Sequence, residues 1–115
     1  MLADRERAIQ ILSPVGLDKA FYFYLSENEY TGVYADSFKQ FIDRLKRVRV
    51  SSVEFHFHRE DFRKWFSDVL GDIAMAEEIS SLSVKGLEGE SLRQAILEIL
   101  ERRFSKLVNI SSVGR

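Results

Sequence analysis

Apolar side chains recur every three to four residues along four stretches of this chain, a spacing that places them on one face of an α-helix. The stretches begin after Ser37, at Phe62, after Asp72 and at Leu92, and the last continues to about Val108. Their apolar positions are Phe38, Phe41, Ile42, Leu45 and Val48; Phe62, Trp65, Phe66, Val69 and Leu70; Ile73, Ala76, Ile79 and Leu82; and Ala95, Ile96, Ile99, Leu100, Phe104 and Leu107. The pattern predicts four helices that each bury one face.

Polar residues and glycine at the expected helix ends support this prediction. Three serines are each followed three positions later by Gln or Glu, which is the pattern of a capping box. The pairs are Ser37 with Gln40, Ser51 with Glu54, and Ser91 with Gln94. Asp61 and Asp72 each directly precede an apolar helix, so both are predicted to be N-caps. Gly71 is placed to take the left-handed conformation past a helix end.

The N-terminal part of the chain has a different pattern. Residues from Arg5 to Leu12 predict a short helix that ends before Pro14, because proline disfavours the α conformation in the residue before it. Residues 21–24 alternate Phe and Tyr and have high β propensity, and a turn separates them from a second short extended stretch, residues 33–34. We therefore predict an aromatic hairpin or an extended arm that lies over the helices.

Residues 52–58 fit two patterns. Val53, Phe55 and Phe57 alternate with polar side chains as in a strand, whereas the pair of Ser51 and Glu54 indicates a helix start. We predict a helix and keep the strand as the alternative. The fold class that follows is mainly α: a compact bundle of four to five helices with an N-terminal aromatic β-hairpin or extended arm.

Length, charge and composition narrow the class of protein. A chain of 115 residues is an ordinary size for one domain, so residues 1–115 are expected to form a single domain. With 17 basic and 18 acidic side chains, the chain has no overall charge that would attract nucleic acid or an anionic membrane. The absence of cysteine excludes disulfides, thiolate catalysis and cysteine-based metal sites.

The same features predict the compartment. The N-terminus is charged where a signal peptide would be apolar, and the longest apolar run is Ala20 to Leu25. A soluble, cytoplasmic protein with no membrane partner is expected. The high proportion of charged residues, together with few Asn and Gln, is typical of thermophile proteins.

The order of residues also resembles a known family. The matching elements are Ala35-x-Ser37-Phe38-x-x-Phe41, then Ser51-x-x-x-Phe55-His56-x-x-Arg59-x-Asp61-Phe62-x-x-Trp65, then Gly71-Asp72-x-x-Met75-Ala76, and finally Gly89-Glu90-x-Leu92-Arg93. They resemble an uncharacterised archaeal and bacterial domain-of-unknown-function family, most specifically in the His-x-x-Arg-x-Asp-Phe-x-x-Trp signature. The resemblance covers about residues 19–107, leaving residues 1–18 as an N-terminal extension and 109–115 as a tail. It implies a helix over residues 52–58 and no particular reaction.

The signature contains the candidate chemistry. His56, Arg59 and Asp61 could share a pocket in which a guanidinium and a carboxylate orient an anionic substrate or assist proton transfer. In the structural interpretation, His56 instead bonds a backbone carbonyl or a carboxylate at a helix junction. His58 lies about 200° from His56 on a helix, so the two cannot share a metal ion. No metal site is predicted, and because no nucleophile, phosphate-loop or dinucleotide motif is present, no cofactor is expected.

A basic run offers a second kind of site. It consists of Arg44, Lys46, Arg47 and Arg49. Four positive charges within six residues could contact phosphates, yet cations in the last turn of a helix also complement its dipole. Nucleic-acid binding therefore stays an alternative that the near-zero net charge does not favour.

The aromatic residues near the N-terminus offer a third kind of site. Residues 20–34 carry six aromatic side chains, and an alternating strand turns every second one away from the helices. The residues predicted to form a partner interface are Tyr22, Tyr24, Tyr30 and Tyr34. The alternative is a hairpin that only covers the helical core.

Taken together, these features favour a non-enzymatic protein-interaction or regulatory module that binds a protein partner or forms a homodimer. Two alternatives remain open at this point. One is a small enzyme or metal-binding protein that uses a His/Arg/Asp pocket. The other is a nucleic-acid-associated protein that uses the basic helix end.

Overall fold

Helices make up most of the molecule, and they lie close to where the apolar pattern predicts them. The computed structural model describes residues 4–113. Its α-helices are α1 (Asp4–Leu12), α2 (Phe38–Arg47), α3 (Val50–His58), α4 (Asp61–Lys64), α5 (Ile73–Ser81) and α6 (Gly89–Ser112), and its strands are β1 (Phe21–Tyr24) and β2 (Tyr30–Ala35). A π-helical turn, Trp65–Val69, continues α4, and a 3-10 turn, Leu82–Lys85, follows α5. The prediction of a mainly α fold with an N-terminal aromatic hairpin is confirmed.

The longest helix, α6, is the element against which four of the other five α-helices pack. Helices α1, α2, α3 and α5 all contact it. Its buried residues are Leu92, Arg93, Ile96, Leu97, Leu100 and Leu107. Together with the buried apolar side chains of the other helices and of the hairpin, they form one continuous core. The helix begins before Leu92 and continues past Val108, so it is longer at both ends than the sequence predicts.

The hairpin covers one side of this core with its phenylalanines. Its strands are antiparallel, with Tyr22 opposite Tyr34, and β1 contacts α3 while β2 contacts α2. Phe21 and Phe23 are buried, whereas Tyr22 and Tyr24 are half-buried on the outer side. The predicted separation of Phe and Tyr onto two faces is therefore present.

Residues 52–58 are helical, so the strand alternative is wrong. Within α3, Val53 and His56 are both buried, and their three-residue spacing places them on one face of a helix but on opposite faces of a strand. Glu54 does not join a capping box. Its carboxylate accepts a hydrogen bond of 2.8 Å from the backbone N–H of Gly89 and so satisfies an amide at the start of α6.

Of the three predicted capping boxes, only the one at Ser37 is present, and its return bond is shifted by one residue. The Ser37 hydroxyl accepts a hydrogen bond of 3.2 Å from the Gln40 N–H, while the Gln40 side chain accepts one from the N–H of Asp36, the residue before the cap. Ser51 and Ser91 already lie inside α3 and α6, so neither can act as an N-cap. Those two predictions are wrong because both helices begin earlier than the pattern indicates.

The apolar helix predicted from Phe62 to Leu70 changes form after its first turn. Helix α4 ends at Lys64, and in the wider turn that follows the Leu70 N–H donates to the Trp65 carbonyl, five residues back, at 3.1 Å. Gly71 then has a φ of 74°, the left-handed conformation predicted for it. The chain reverses there and enters α5.

Asp61 is not the N-cap of α4, which corrects another prediction. The cap position is Glu60, whose φ of 65° and ψ of 21° are left-handed, and Asp61 is the first helical residue. The Asp61 carboxylate contacts His56 and Arg59 instead of the amides of its own helix. The left-handed Glu60 turns the chain so that Asp61 lies beside the end of α3.

Asp72 does cap α5, as predicted, because its Oδ1 accepts a hydrogen bond of 3.2 Å from the Met75 N–H. Of the predicted apolar face, Ala76, Ile79 and Leu82 are buried as expected, and only Ile73 is not. Ile73 is 64% exposed, and Met75 is buried instead. Asp72 is itself only 1% exposed and forms two hydrogen bonds with Arg103 of α6, so the start of α5 faces inward with its polar cap.

No helix within residues 4–113 has both the length and the apolar character needed to cross a lipid bilayer. Residues 1–3 of the predicted N-terminal extension and residues 114–115 of the predicted tail lie outside the described part of the chain.

Candidate functional site

A cleft of about 250 Å³ lies between the hairpin and the junction of α3 with α4. It is lined by Phe21, Tyr22, Tyr24, Glu27, Phe55, His56, Arg59 and Asp61. Two sets of residues that the sequence singled out separately meet here: the His56, Arg59 and Asp61 set and half of the tyrosine set. The cleft is therefore the candidate site.

His56 ties the hairpin to the helices through both of its ring nitrogens. Nε2 lies 2.8 Å from the backbone nitrogen of Tyr24, and Nδ1 lies 2.8 Å from Oδ2 of Asp61. Because a backbone N–H can only donate, Nε2 must accept, and the ring proton of the neutral histidine sits on Nδ1. The predicted bond between His56 and a carboxylate at a helix junction is confirmed, and the bond to β1 is additional.

Aromatic rings enclose the imidazole. Phe21 meets it edge-on with the ring centroids 4.8 Å apart, and Phe62 lies at 5.7 Å. His56 is 4% exposed as a result. Burial lowers its pKa below the ordinary value of 6.5, and the positive charge of Arg59 acts in the same direction, while the hydrogen bond and charge of Asp61 raise the pKa in part.

Arg59 is held at the mouth of the cleft by a carboxylate and a ring. Its Nε lies 3.2 Å from Oδ2 of Asp61, and its guanidinium carbon lies 4.9 Å from the centre of the Phe55 ring. Residues 55 and 59 are four apart on one helical face, which brings the two side chains together. The Arg59 side chain is 49% exposed, so it remains accessible to a ligand.

The four tyrosines named from the sequence lie together on the outer side of the hairpin. We call Tyr22, Tyr24, Tyr30 and Tyr34 the tyrosine face. Ring centroids are 5.3 Å apart for Tyr24 and Tyr30, and 5.8 Å apart for Tyr22 with either Tyr30 or Tyr34. Partial burial, and then the neighbouring tyrosine hydroxyls, raise the pKa of Tyr30 above 10.0. Tyr30 is 44% and Tyr34 38% exposed, so a continuous aromatic surface meets solvent beside the cleft.

The basic run lies away from the cleft, and most of its charges are paired. It comprises Arg44, Lys46, Arg47 and Arg49. Asp43 forms ion pairs with Arg44 at 2.6 Å and with Arg47 at 3.2 Å, and Glu101 lies 3.5 Å from Lys46. Within residues 4–113, only Arg49 of this run has no ion-pair partner. The positive electrostatic potential that would attract phosphates is therefore weaker here than the four basic residues alone would produce.

No group of three or more His, Asp or Glu side chains in the described residues is placed to hold a metal ion. His56 illustrates the reason, because each of its ring nitrogens already has a hydrogen-bond partner within the fold. His58 lies at the C-terminal end of α3, outside the cleft lining.

Three residues of the cleft have no site role predicted from the sequence: Phe21, which is expected only in the core, Phe55 and Glu27. Phe55 directly precedes the signature and has no role predicted from the sequence, although its four-residue spacing from Arg59 on a helix could have indicated the contact. Glu27 lies between the two strands, and no local pattern distinguishes it from any other polar turn residue. Its place in the cleft depends on how the hairpin docks.

The histidine contacts predict a dependence of stability on pH. Because the pKa of His56 is lower in the folded state, the unfolded chain binds the proton more tightly, and stability falls as the pH drops from about 6.5 through the folded-state pKa. Between about pH 7.5 and pH 5.5, His56 should lower the free energy of unfolding by up to about 1.4 kcal/mol. Urea denaturation at both pH values measures the loss.

Two histidine variants separate this contribution from that of other titrating groups. His56→Gln should reduce the change in unfolding free energy between the two pH values, whereas His58→Gln should retain it. Equal pH dependence in the wild-type protein and in His56→Gln would contradict the prediction.

Comparison with known proteins agrees with the resemblance seen in the sequence. The model of a family of unknown function, DUF5752, matches residues 18–114, which is most of the chain. The same comparison found no curated protein and no solved structure with significant similarity to this chain.

Proposed function

The chain belongs to DUF5752, a family of unknown function, and from its own geometry we propose that it is a non-enzymatic protein-interaction or regulatory module. The binding surface is the tyrosine face together with the adjoining cleft. The partner is a second copy of the chain or another protein.

The observation that carries this proposal is the outward exposure of the tyrosine face. The phenylalanines of β1 already fill the core, so the tyrosines are not needed to cover it. Tyrosine supplies a large contact area with little loss of side-chain entropy, and it is enriched at protein interfaces and among their hot spots. A cluster of four beside a concave cleft is typical of a binding surface.

The cleft itself favours binding over catalysis. A general base must offer a free lone pair to its substrate, but the acceptor nitrogen of His56 is taken by the Tyr24 N–H and its other nitrogen by Asp61. Arg59 and Asp61 likewise pair with each other. These contacts support a structural role for His56 and Asp61 and leave neither ring nitrogen of His56 free for acid–base catalysis.

We test the proposal with a double variant, Tyr30→Ser and Tyr34→Ser. Both side chains are exposed, so the fold should tolerate the change, whereas Tyr22 also donates a hydrogen bond to the Leu17 carbonyl. Assembly with a second copy, measured by sedimentation, or capture of a protein from native extract, measured by mass spectrometry, should weaken roughly tenfold or more. The expected loss follows from the removal of two hot-spot side chains.

A matched control replaces exposed apolar residues elsewhere: Ile73→Ser with Val84→Ser, which are 64% and 88% exposed. This variant should assemble and capture as the wild-type protein does. Changes at Phe21 and Phe23 should instead chiefly destabilise the fold, because both are buried. If the tyrosine variant assembles and captures partners like the wild-type protein, the interaction proposal fails.

A further inference from the structure

The charges that line the cleft leave it with an excess of negative charge. Glu27 and Asp61 contribute two carboxylates and Arg59 one guanidinium. His56 is uncharged while it accepts the Tyr24 N–H, because a protonated Nε2 could not do so. One unit of negative charge therefore remains. It belongs in effect to Glu27, since Arg59 and Asp61 offset each other at 3.2 Å.

The cleft also has free acceptor atoms. Both side-chain contacts of Asp61 go to Oδ2, which faces His56 and Arg59. Within residues 4–113, Asp61 Oδ1 has no hydrogen-bond partner, and Glu27 has neither a hydrogen bond nor an ion pair through its carboxylate. A donor that enters the cleft would thus find carboxylate oxygens without a protein partner and would have to break no hydrogen bond of the fold.

Aromatic rings supply the remaining walls. Tyr22, Tyr24 and Phe55 line the cleft, and the faces of such rings attract cations. The fold already holds one guanidinium in this way, because Arg59 rests over Phe55 while it bonds Asp61. The volume of about 250 Å³ lies below the range usual for drug-sized ligands, so it suits a single side chain.

We propose that the cleft receives a basic side chain, arginine or lysine, from the partner protein that binds the tyrosine face. This inference rests on the proposed interaction role and adds the chemistry of the partner's anchoring residue. The carboxylates of Glu27 and Asp61 pair with the incoming cation, and the rings of Tyr22 and Tyr24 contact its alkyl stem and charged head.

An acidic side chain is the competing occupant, because Arg59 is half-exposed and could pair with it. Charge decides against it: a carboxylate would lie close to both Glu27 and Asp61 and would meet the net negative charge of the cleft. The experiment includes this occupant as one of its arms.

The probes are N-acetyl-arginine amide, its neutral isostere N-acetyl-citrulline amide, and N-acetyl-glutamate amide. Binding is followed by NMR shifts of the Tyr24 and His56 backbone amides. The arginine probe should bind with a Kd on the order of 1–10 mM, and the citrulline probe should bind at least about fivefold more weakly. Added salt should weaken arginine binding.

Glu27→Gln removes the uncompensated charge without touching a bond of the fold, and it should weaken arginine binding about threefold to fivefold. Glu29→Gln is the matched control, because Glu29 is exposed in the same turn and does not line the cleft. It should leave the affinity unchanged.

Equal binding of arginine and citrulline, stronger binding of glutamate, or no shifts at the cleft would each overturn the cation assignment. The proposed function fails on different evidence, namely unchanged assembly and capture by the Tyr30→Ser, Tyr34→Ser variant. If partner binding is lost in the tyrosine variant but the arginine probe does not bind the cleft, the proposed function stands and only the cation assignment fails.

Discussion

Replacement of Trp65 by alanine is expected to lower the free energy of unfolding by about 3–5 kcal/mol, a large part of the roughly 5–15 kcal/mol that stabilises a domain. Trp65 is 6% exposed, and its ring stacks on Phe41 at a centroid distance of 5.3 Å and an interplanar angle of 19°. Its indole N–H donates to the Lys19 carbonyl at 2.9 Å. The variant loses this contact area and the hydrogen bond to the Lys19 carbonyl.

Urea denaturation followed by far-UV circular dichroism measures the effect, because the variant has no tryptophan left for fluorescence. Trp65→Phe should lower the free energy of unfolding less than Trp65→Ala does, because it keeps a ring against Phe41. Some loss should remain, because phenylalanine cannot donate to the Lys19 carbonyl. Val84→Ala, at a side chain that is 88% exposed, should change little. A Trp65→Ala protein with the wild-type midpoint would refute the assignment of Trp65 as a core anchor.

The elements that the sequence predicts well are those specified by local patterns. The Ser37 cap, the apolar face of α2 and the Asp72 cap each depend on residues within one turn of each other, so the sequence alone indicates them. The alternation of Phe and Tyr in β1 likewise gives the inner and outer faces of the hairpin.

The elements that the sequence does not predict depend on distant residues. Glu54 bonds the N–H of Gly89 at the start of α6, 35 positions away, so it is not available for the capping box predicted with Ser51. The π-helical turn after α4 leaves no periodic signal, because its apolar residues fit an ordinary helix equally well. The pattern predicts Asp61 as a cap because aspartate before a helix usually caps it, whereas the Asp61 carboxylate instead bonds residues at the end of α3.

The candidate site likewise combines contacts that the local sequence predicts with contacts that depend on distant residues. The signature brings His56, Arg59 and Asp61 close because they lie within six residues of one another on consecutive helices. The bond from Tyr24 to His56 spans 32 positions and depends on how the hairpin docks. That docking joins the tyrosine face to the His/Arg/Asp group and thereby creates the cleft. The sequence could name both groups of residues, but it could not predict that they share one surface.

Replacement of Arg103 by methionine is the second change for which we expect a large effect, about 3–5 kcal/mol of lost stability. Arg103 Nε lies 2.9 Å from Asp72 Oδ2, and its terminal nitrogen lies 2.8 Å from Oδ1. Asp72 is 1% exposed. Methionine fills a similar volume but leaves the buried carboxylate without its countercharge, with only the Met75 N–H to bond it. Denaturation in urea at neutral pH measures the change.

A second substitution distinguishes the loss of countercharge from the loss of packing. Asn at position 72 can still cap α5, because Asn and Asp are comparable N-caps, and it carries no charge that needs Arg103. The double variant Asp72→Asn with Arg103→Met should therefore be more stable than Arg103→Met alone, even though it contains one more change. If the double variant is the less stable of the two, the cost at position 103 comes from packing, and the buried charge of Asp72 is not its cause.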